Sequence, residues 1–146
     1  MKKFNVIKPI TGSFFAFAYF GLFVMSVLFY ILIPDFIFLV LLLGTCASFL
    51  YFSYKLLFQK VTISSQGVKY KTPFTSYELI WKDIKAVGVA DFSFLASRAS
   101  WIYFSEQDKR IDNISGMKTA PAFIMMNYRE PVISEIKKYW HGEIYY

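Results

Sequence analysis

A chain of 146 residues with 56% hydrophobic and 21% aromatic residues, and a mean hydropathy of +0.42, is too apolar for an ordinary soluble domain. Its net charge of +6 is mild and forms no dense basic stripe or nucleic-acid-binding motif, which argues against nucleic acid as a partner. One cysteine and one histidine exclude a disulfide framework and leave too few soft ligands for a zinc site.

The apolar excess sits in the first third. No charged residue occurs from Pro9 to Pro34, and none from Phe36 to Tyr54. Each stretch reaches the ~20 residues of a spanning helix. A single helix of about 46 residues would run roughly 69 Å, so two helices must fold back on each other. We expect spans at about 12–33 and 36–57, within an N-terminal region of residues 1–58. Both are longer than a signal peptide's apolar region of ~7–15 residues. "LIPDFIF" marks the turn: Pro34 disfavours helix at Ile33, and Asp35 can cap the second helix. Gly12 with Ala16, Gly21 further on, and Gly44 with Ser48 supply small residues that let helix backbones approach, within one hairpin or against a second copy.

Lys2, Lys3 and Lys8 precede the first span, Lys55 and Lys60 follow the second, and the turn has neither Lys nor Arg. The positive-inside rule then puts both ends of a two-span, multi-pass membrane protein in the cytoplasm.

After Lys55 the pattern changes to period two, and residues 59–146 read as a small β-domain. Val61 and Ile63 alternate with Thr62 and Ser64; "SQG" turns the chain, with Gly67 free to take a positive φ. "VKYKT", "YELIW", "IKAVGVADF", "SWIYFS" and "AFIMMNY" follow as strands, six in all with the first. "FSFLASRASW", around Arg98, reads as an exposed, partly apolar hairpin tip. Residues 106–121 look like a long polar loop with room for a seventh strand. Pro131 opens an amphipathic helix over about 130–141, with Val132, Ile133, Ile136 and Trp140 on one stripe.

No catalytic constellation emerges, and no enzyme, cofactor or metal is expected. Cys46 lies within the second span, His141 sits beside a helix end, and Asp83, Asp91, Asp108 and Asp112 lack calcium-loop spacing. The binding candidates are Lys55, Lys60, Lys69, Lys71 and Arg98. Spaced lysines make point-charge contacts suited to an anionic leaflet.

A meander opening with "VTISSQGVKYKT", the segment "LIWKDIKAV" (Leu79 to Val87) and the closing "YREPVISEIKKYW" (Tyr128 to Trp140) together resemble a known arrangement. It is similar to the bacterial pleckstrin-homology-like domain carried behind two transmembrane helices by small membrane proteins of low-GC Gram-positive bacteria. The resemblance covers about residues 12–141 and departs from that fold's usual seven strands. It implies an α+β membrane protein: a two-helix hairpin, then an antiparallel β-barrel or sandwich capped by a C-terminal helix. The function we expect is that of a non-enzymatic scaffold at the inner leaflet that recruits a protein partner or self-associates. The alternative the resemblance implies is an immunity protein against a membrane-active bacteriocin or cationic peptide.

Overall fold

The computed structural model describes residues 1–94 and 97–146, with no side chains for residues 94–98. The chain divides into two compact units, Ile7–Phe58 and a second formed by Met1–Val6 with Gln59–Tyr146.

The first unit is a pair of helices, α1 (Pro9–Leu32) and α2 (Phe36–Phe58). Pro9 suits a first helical turn, where its missing N–H would have no partner anyway. Ile33, extended at φ −136° and ψ 88°, ends α1 immediately before Pro34. The aromatic pairs Phe15–Phe52, Phe20–Phe49 and Phe29–Phe38 ascend one helix as they descend the other, so the helices are antiparallel. Both have the length and composition to cross a bilayer. Only Gly12 of α1, and no residue of α2, is buried by the protein itself.

The second unit holds two four-stranded sheets and one helix. The first sheet has the order β1 (Lys2–Asn5), β2 (Lys60–Ile63), β3 (Gly67–Lys71), β4 (Ser76–Ile80), all antiparallel. The second has the order β7 (Phe123–Asn127), β6 (Ser97–Ser105), β5 (Ala86–Phe94), β8 (Ile144–Tyr145), antiparallel except for the β5–β8 pair. Val61, Ile63, Val68 and Leu79 on one sheet, and Val87, Ile102, Phe104 and Ile124 on the other, share a core with Val132, Ile133 and Ile136 of α3 (Glu130–Ile136). Among the described residues no strand ladder closes the two sheets into a barrel.

Four expectations change. Residues 2–5, grouped by sequence with the hairpin, are a strand paired with β2 across register Asn5↔Lys60. The hairpin is therefore an insertion between two hydrogen-bonded strands. The additional strands are β1 and β8, and none runs through 106–121. That segment instead packs Ile111 and Ile114 on the outer face of the second sheet, beside Ala86, Ala90 and Tyr103. The third helix stops at Ile136, because the chain tightens to i→i+3 bonds (Lys138 N–H to Glu135 O, Tyr139 N–H to Ile136 O) as Tyr139 and Trp140 turn to stack on Trp81. Gly67 does not have a positive φ; Gly116, at +80°, does.

Candidate functional site

Residues directly opposite in an antiparallel ladder share a face. The registers therefore assemble the outer face of the first sheet in two rows: Lys3, Thr62, Lys69 and Glu78 in one, and Asn5, Lys60, Lys71 and Ser76 in the other. The side chains between them, Val61, Ile63, Val68 and Tyr70, point into the core, which leaves all four lysines exposed.

The two rows differ electrostatically. Lys69 Nζ meets Glu78 Oε2 at 2.8 Å, an exposed cross-strand pair worth little by itself in water. Lys60 faces Lys71 directly, and their row contains no carboxylate. Like charges placed opposite each other destabilise a sheet by a few tenths of a kcal/mol to about 1. An external anion would relieve that repulsion.

The structure thus brings Lys60, Lys69 and Lys71 onto one face and adds Lys3, which sequence reasoning missed because β1 was not recognised. Lys55 lies in the other unit, in the last turn of α2, with Nζ 4.5 Å from the Tyr51 ring centroid. The backbone of Arg98 lies in β6 opposite Ser93. Its side chain lies outside the described residues, as does the hairpin tip at 95–96.

In the helical unit, Gly12 is buried where any Cβ would stand 2.7 Å from Leu56 Cδ1, so it permits a close approach of α1 to α2. Ala16 and Ser48 are half-buried. Gly21 and Gly44 are exposed, and a Cβ at either would meet nothing within 4 Å. Pro34 follows the end of α1, and Asp35 caps α2, its Oδ1 accepting from the Ile37 amide at 2.9 Å.

A second polar cluster ties the N-terminal strand to α3. Glu135 is almost fully buried and is met by Lys138 Nζ at 2.8 Å and Lys2 Nζ at 3.6 Å. The hydrogen bond from Lys138, reinforced by the charge of Lys2, holds the Glu135 carboxyl below its ordinary pKa against the opposing effect of burial. Arg129 donates to the Asn5 carbonyl, while its Nε is buried without a partner and burial lowers its pKa. On the opposite sheet, burial pushes the Tyr103 phenol up although the Ile111 amide donates to its oxygen at 3.1 Å.

The Glu135 cluster has a pH signature. A carboxyl whose folded pKa is depressed contributes stability that is complete above its unfolded value of about 4.5 and is lost as pH falls through the lower folded value. Glu135→Gln is therefore expected to flatten the acid limb of a plot of Tm against pH below about 4.5 and to leave its slope near pH 7 unchanged. A variant curve parallel to that of the unsubstituted protein through the acid range would contradict this.

Two surface concavities are open, one lined by Lys82, Asp83, Lys85 and Glu106 and another by Val89, Asp91, Ser100, Arg110, Asp112 and Tyr146. Neither is the enclosed, mainly apolar cleft that holds a small molecule. What the chain offers is a face, carrying lysines in two rows. No family model matches the chain, and no curated protein and no solved structure matches it.

Proposed function

We propose that this protein is a non-enzymatic binding module of the bacterial cell membrane, in which a two-helix hairpin holds a pleckstrin-homology-like domain at the inner leaflet. The observation that carries the reading is the insertion of an apolar hairpin between the paired strands β1 and β2. Phe17, Ile31, Leu32, Phe36 and Leu43 of that hairpin are each more than half exposed. Surface of that kind is tolerated in lipid and not in water. Lysines flank both outer ends of the hairpin and are absent from its turn, which favours cytoplasmic termini. Two sheets closed by one helix, the Trp81 turn between the sheets and the Pro131 helix start support the pleckstrin-homology-like reading.

With the anchor fixing location, the exposed sheet face is the surface on which the domain recruits a protein partner or self-associates. Its Lys3–Lys69 row lies two register pairs further along β1 and β2 from their connections to the hairpin than the Lys60–Lys71 row. Native extraction in a lipid-preserving polymer, followed by mass spectrometry, tests this. A stoichiometric protein partner or a homo-oligomer is expected with the unsubstituted chain and is lost in the Lys3→Glu/Lys69→Glu variant. A lone chain with bulk lipid in both samples would overturn the proposal.

A further inference from the structure

The end of the first sheet from which the chain departs for the hairpin carries a tight turn with an exposed aromatic ring. Asn5 ends β1 and Lys60 begins β2, directly opposite each other, and Lys71 pairs with Lys60 on the far side. The turn from β3 to β4, Thr72–Thr75, therefore lies at that same end of the sheet. It is a tight turn: the Thr72 amide donates to the Thr75 carbonyl at 2.8 Å, and the Thr72 hydroxyl accepts from the amides of Thr75 at 2.9 Å and Phe74 at 3.3 Å. Thr72 is buried, and Pro73 further restricts the apex. On this restricted apex Phe74 is 86% exposed, the most exposed large apolar residue of the sheet domain among the described residues.

Chain reach adds a second constraint. Only Gln59 separates the last residue of α2 from Lys60. Two residue steps span at most about 7 Å. If α2 ends at the edge of the hydrocarbon, the first residue of β2 lies within the head-group layer. Lys71 is then one strand spacing away, and the turn begins at the next residue.

We propose that the Thr72–Thr75 turn is a lipid-contacting element: Phe74 enters the boundary between head groups and acyl chains, while Lys60 and Lys71 bind anionic head groups. This rests on the reading of α1 and α2 as membrane-spanning. An aromatic ring beside lysines whose row contains no carboxylate is the chemistry of an interfacial anchor on an anionic leaflet. It also gives a role to the Lys60–Lys71 apposition, because lipid phosphates neutralise the repulsion between the two.

The test uses the full chain reconstituted in vesicles of equal parts phosphatidylglycerol and phosphatidylcholine. An environment-sensitive fluorophore is placed either on the native Cys46 or on the Cys46→Ser/Phe74→Cys variant. Nitroxide lipids labelled near the glycerol or near the chain end act as quenchers. The expected result is quenching of the Cys46 label by the deep nitroxide, and of the Phe74→Cys label by the shallow one. Adding Lys60→Glu and Lys71→Glu should reduce the shallow quenching roughly twofold or more. If the Cys46 label is quenched and the Phe74→Cys label keeps its aqueous spectrum, the lipid contact is overturned and the spanning hairpin stands. A Phe74→Cys label that is shielded equally in detergent and in vesicles, and untouched by either nitroxide, also overturns it by identifying a protein cover. If the Cys46 label escapes the deep nitroxide, the spanning reading itself fails, and this proposal fails with it.

Discussion

Excising residues 7–58 and joining Val6 to Gln59 through a short glycine-containing turn is expected to give a folded, water-soluble domain, whereas residues 59–146 alone are expected to aggregate. The difference lies in what β1 does. Four register pairs bind it to β2, and the Val6 amide donates to the Gln59 carbonyl at 3.0 Å, so the two ends to be joined are already neighbours. Beyond the ladder, the Asn127 amide donates to the Val6 carbonyl at 2.9 Å, linking the N-terminal segment to the second sheet. Val6 is buried, and Phe4 packs against the main core. Burying side chains of this size contributes about 1.5–3 kcal/mol each. Removing β1 also leaves the Arg129 guanidinium without the Asn5 carbonyl, and Glu135 without Lys2. It exposes the whole β2 edge as a template for pairing with other chains. A domain of this size is stable by only about 5–15 kcal/mol in total. A soluble, cooperatively melting domain from residues 59–146 alone would show that β1 is dispensable and would sink the argument. Circular dichroism and size-exclusion chromatography of the two proteins decide it.

The same strand marks the limit of what the sequence reveals. The hairpin is legible because a charge-free apolar run has few alternatives, and the strands after Lys60 are legible because each alternates and pairs with a near neighbour. "KKFN" offers neither signal. It is four residues long, and its partner lies beyond the entire hairpin. β8 is shorter still, two residues whose parallel pairing to β5 is set by Trp140 and the turn after it. Residues 106–121 are polar on average, yet two isoleucines among them cover the outer face of the second sheet, and average composition hides such single anchors. For the lysine-bearing face, sequence alternation put Lys69 and Lys71 together, but only the register shows that Lys60 opposes Lys71 and that Lys3 extends the surface. Glycine roles were the least legible, because they depend on what approaches from elsewhere in the chain. Gly88 lies opposite Tyr103, whose ring occupies the space a Cβ would take, and nothing in "AVGVA" announces that.

Gly67→Ala is expected to be the most damaging single-methyl change in the β-domain. The usual reason for glycine in a turn, a left-handed backbone, does not apply, since Gly67 is not among the positive-φ positions. On backbone grounds alone the alanine should help, because it reduces the freedom of the unfolded chain by about 0.4–1 kcal/mol. The sign is reversed by sterics. A Cβ at Gly67 would stand 2.1 Å from the Leu79 carbonyl oxygen and 2.9 Å from the Ile80 Cα. Those are backbone atoms of the paired strand β4, in register with β3 at Gly67↔Ile80, so no rotamer change can clear them. Either β3 and β4 separate at that end or the β2–β3 turn shifts, and with it the Ser64 carbonyl that accepts the Trp81 indole N–H at 2.7 Å. Overpacking of a well-filled core usually costs about 1–3 kcal/mol, and a clash with fixed backbone belongs at or above the top of that range. For a domain of this size that corresponds to a fall in Tm of roughly 10–20 °C. Gly116→Ala provides the contrast: its φ of +80° carries a backbone penalty, but a Cβ there meets nothing within 4 Å. It should cost only about 1 kcal/mol. Melting curves of the two variants, followed by the near-ultraviolet signal of the tryptophans, separate the mechanisms. Equal losses, or a stabilised Gly67→Ala, would mean that β3 and β4 can move apart without harm and that the hydrogen bond from Trp81 to the β2–β3 turn can be lost without cost.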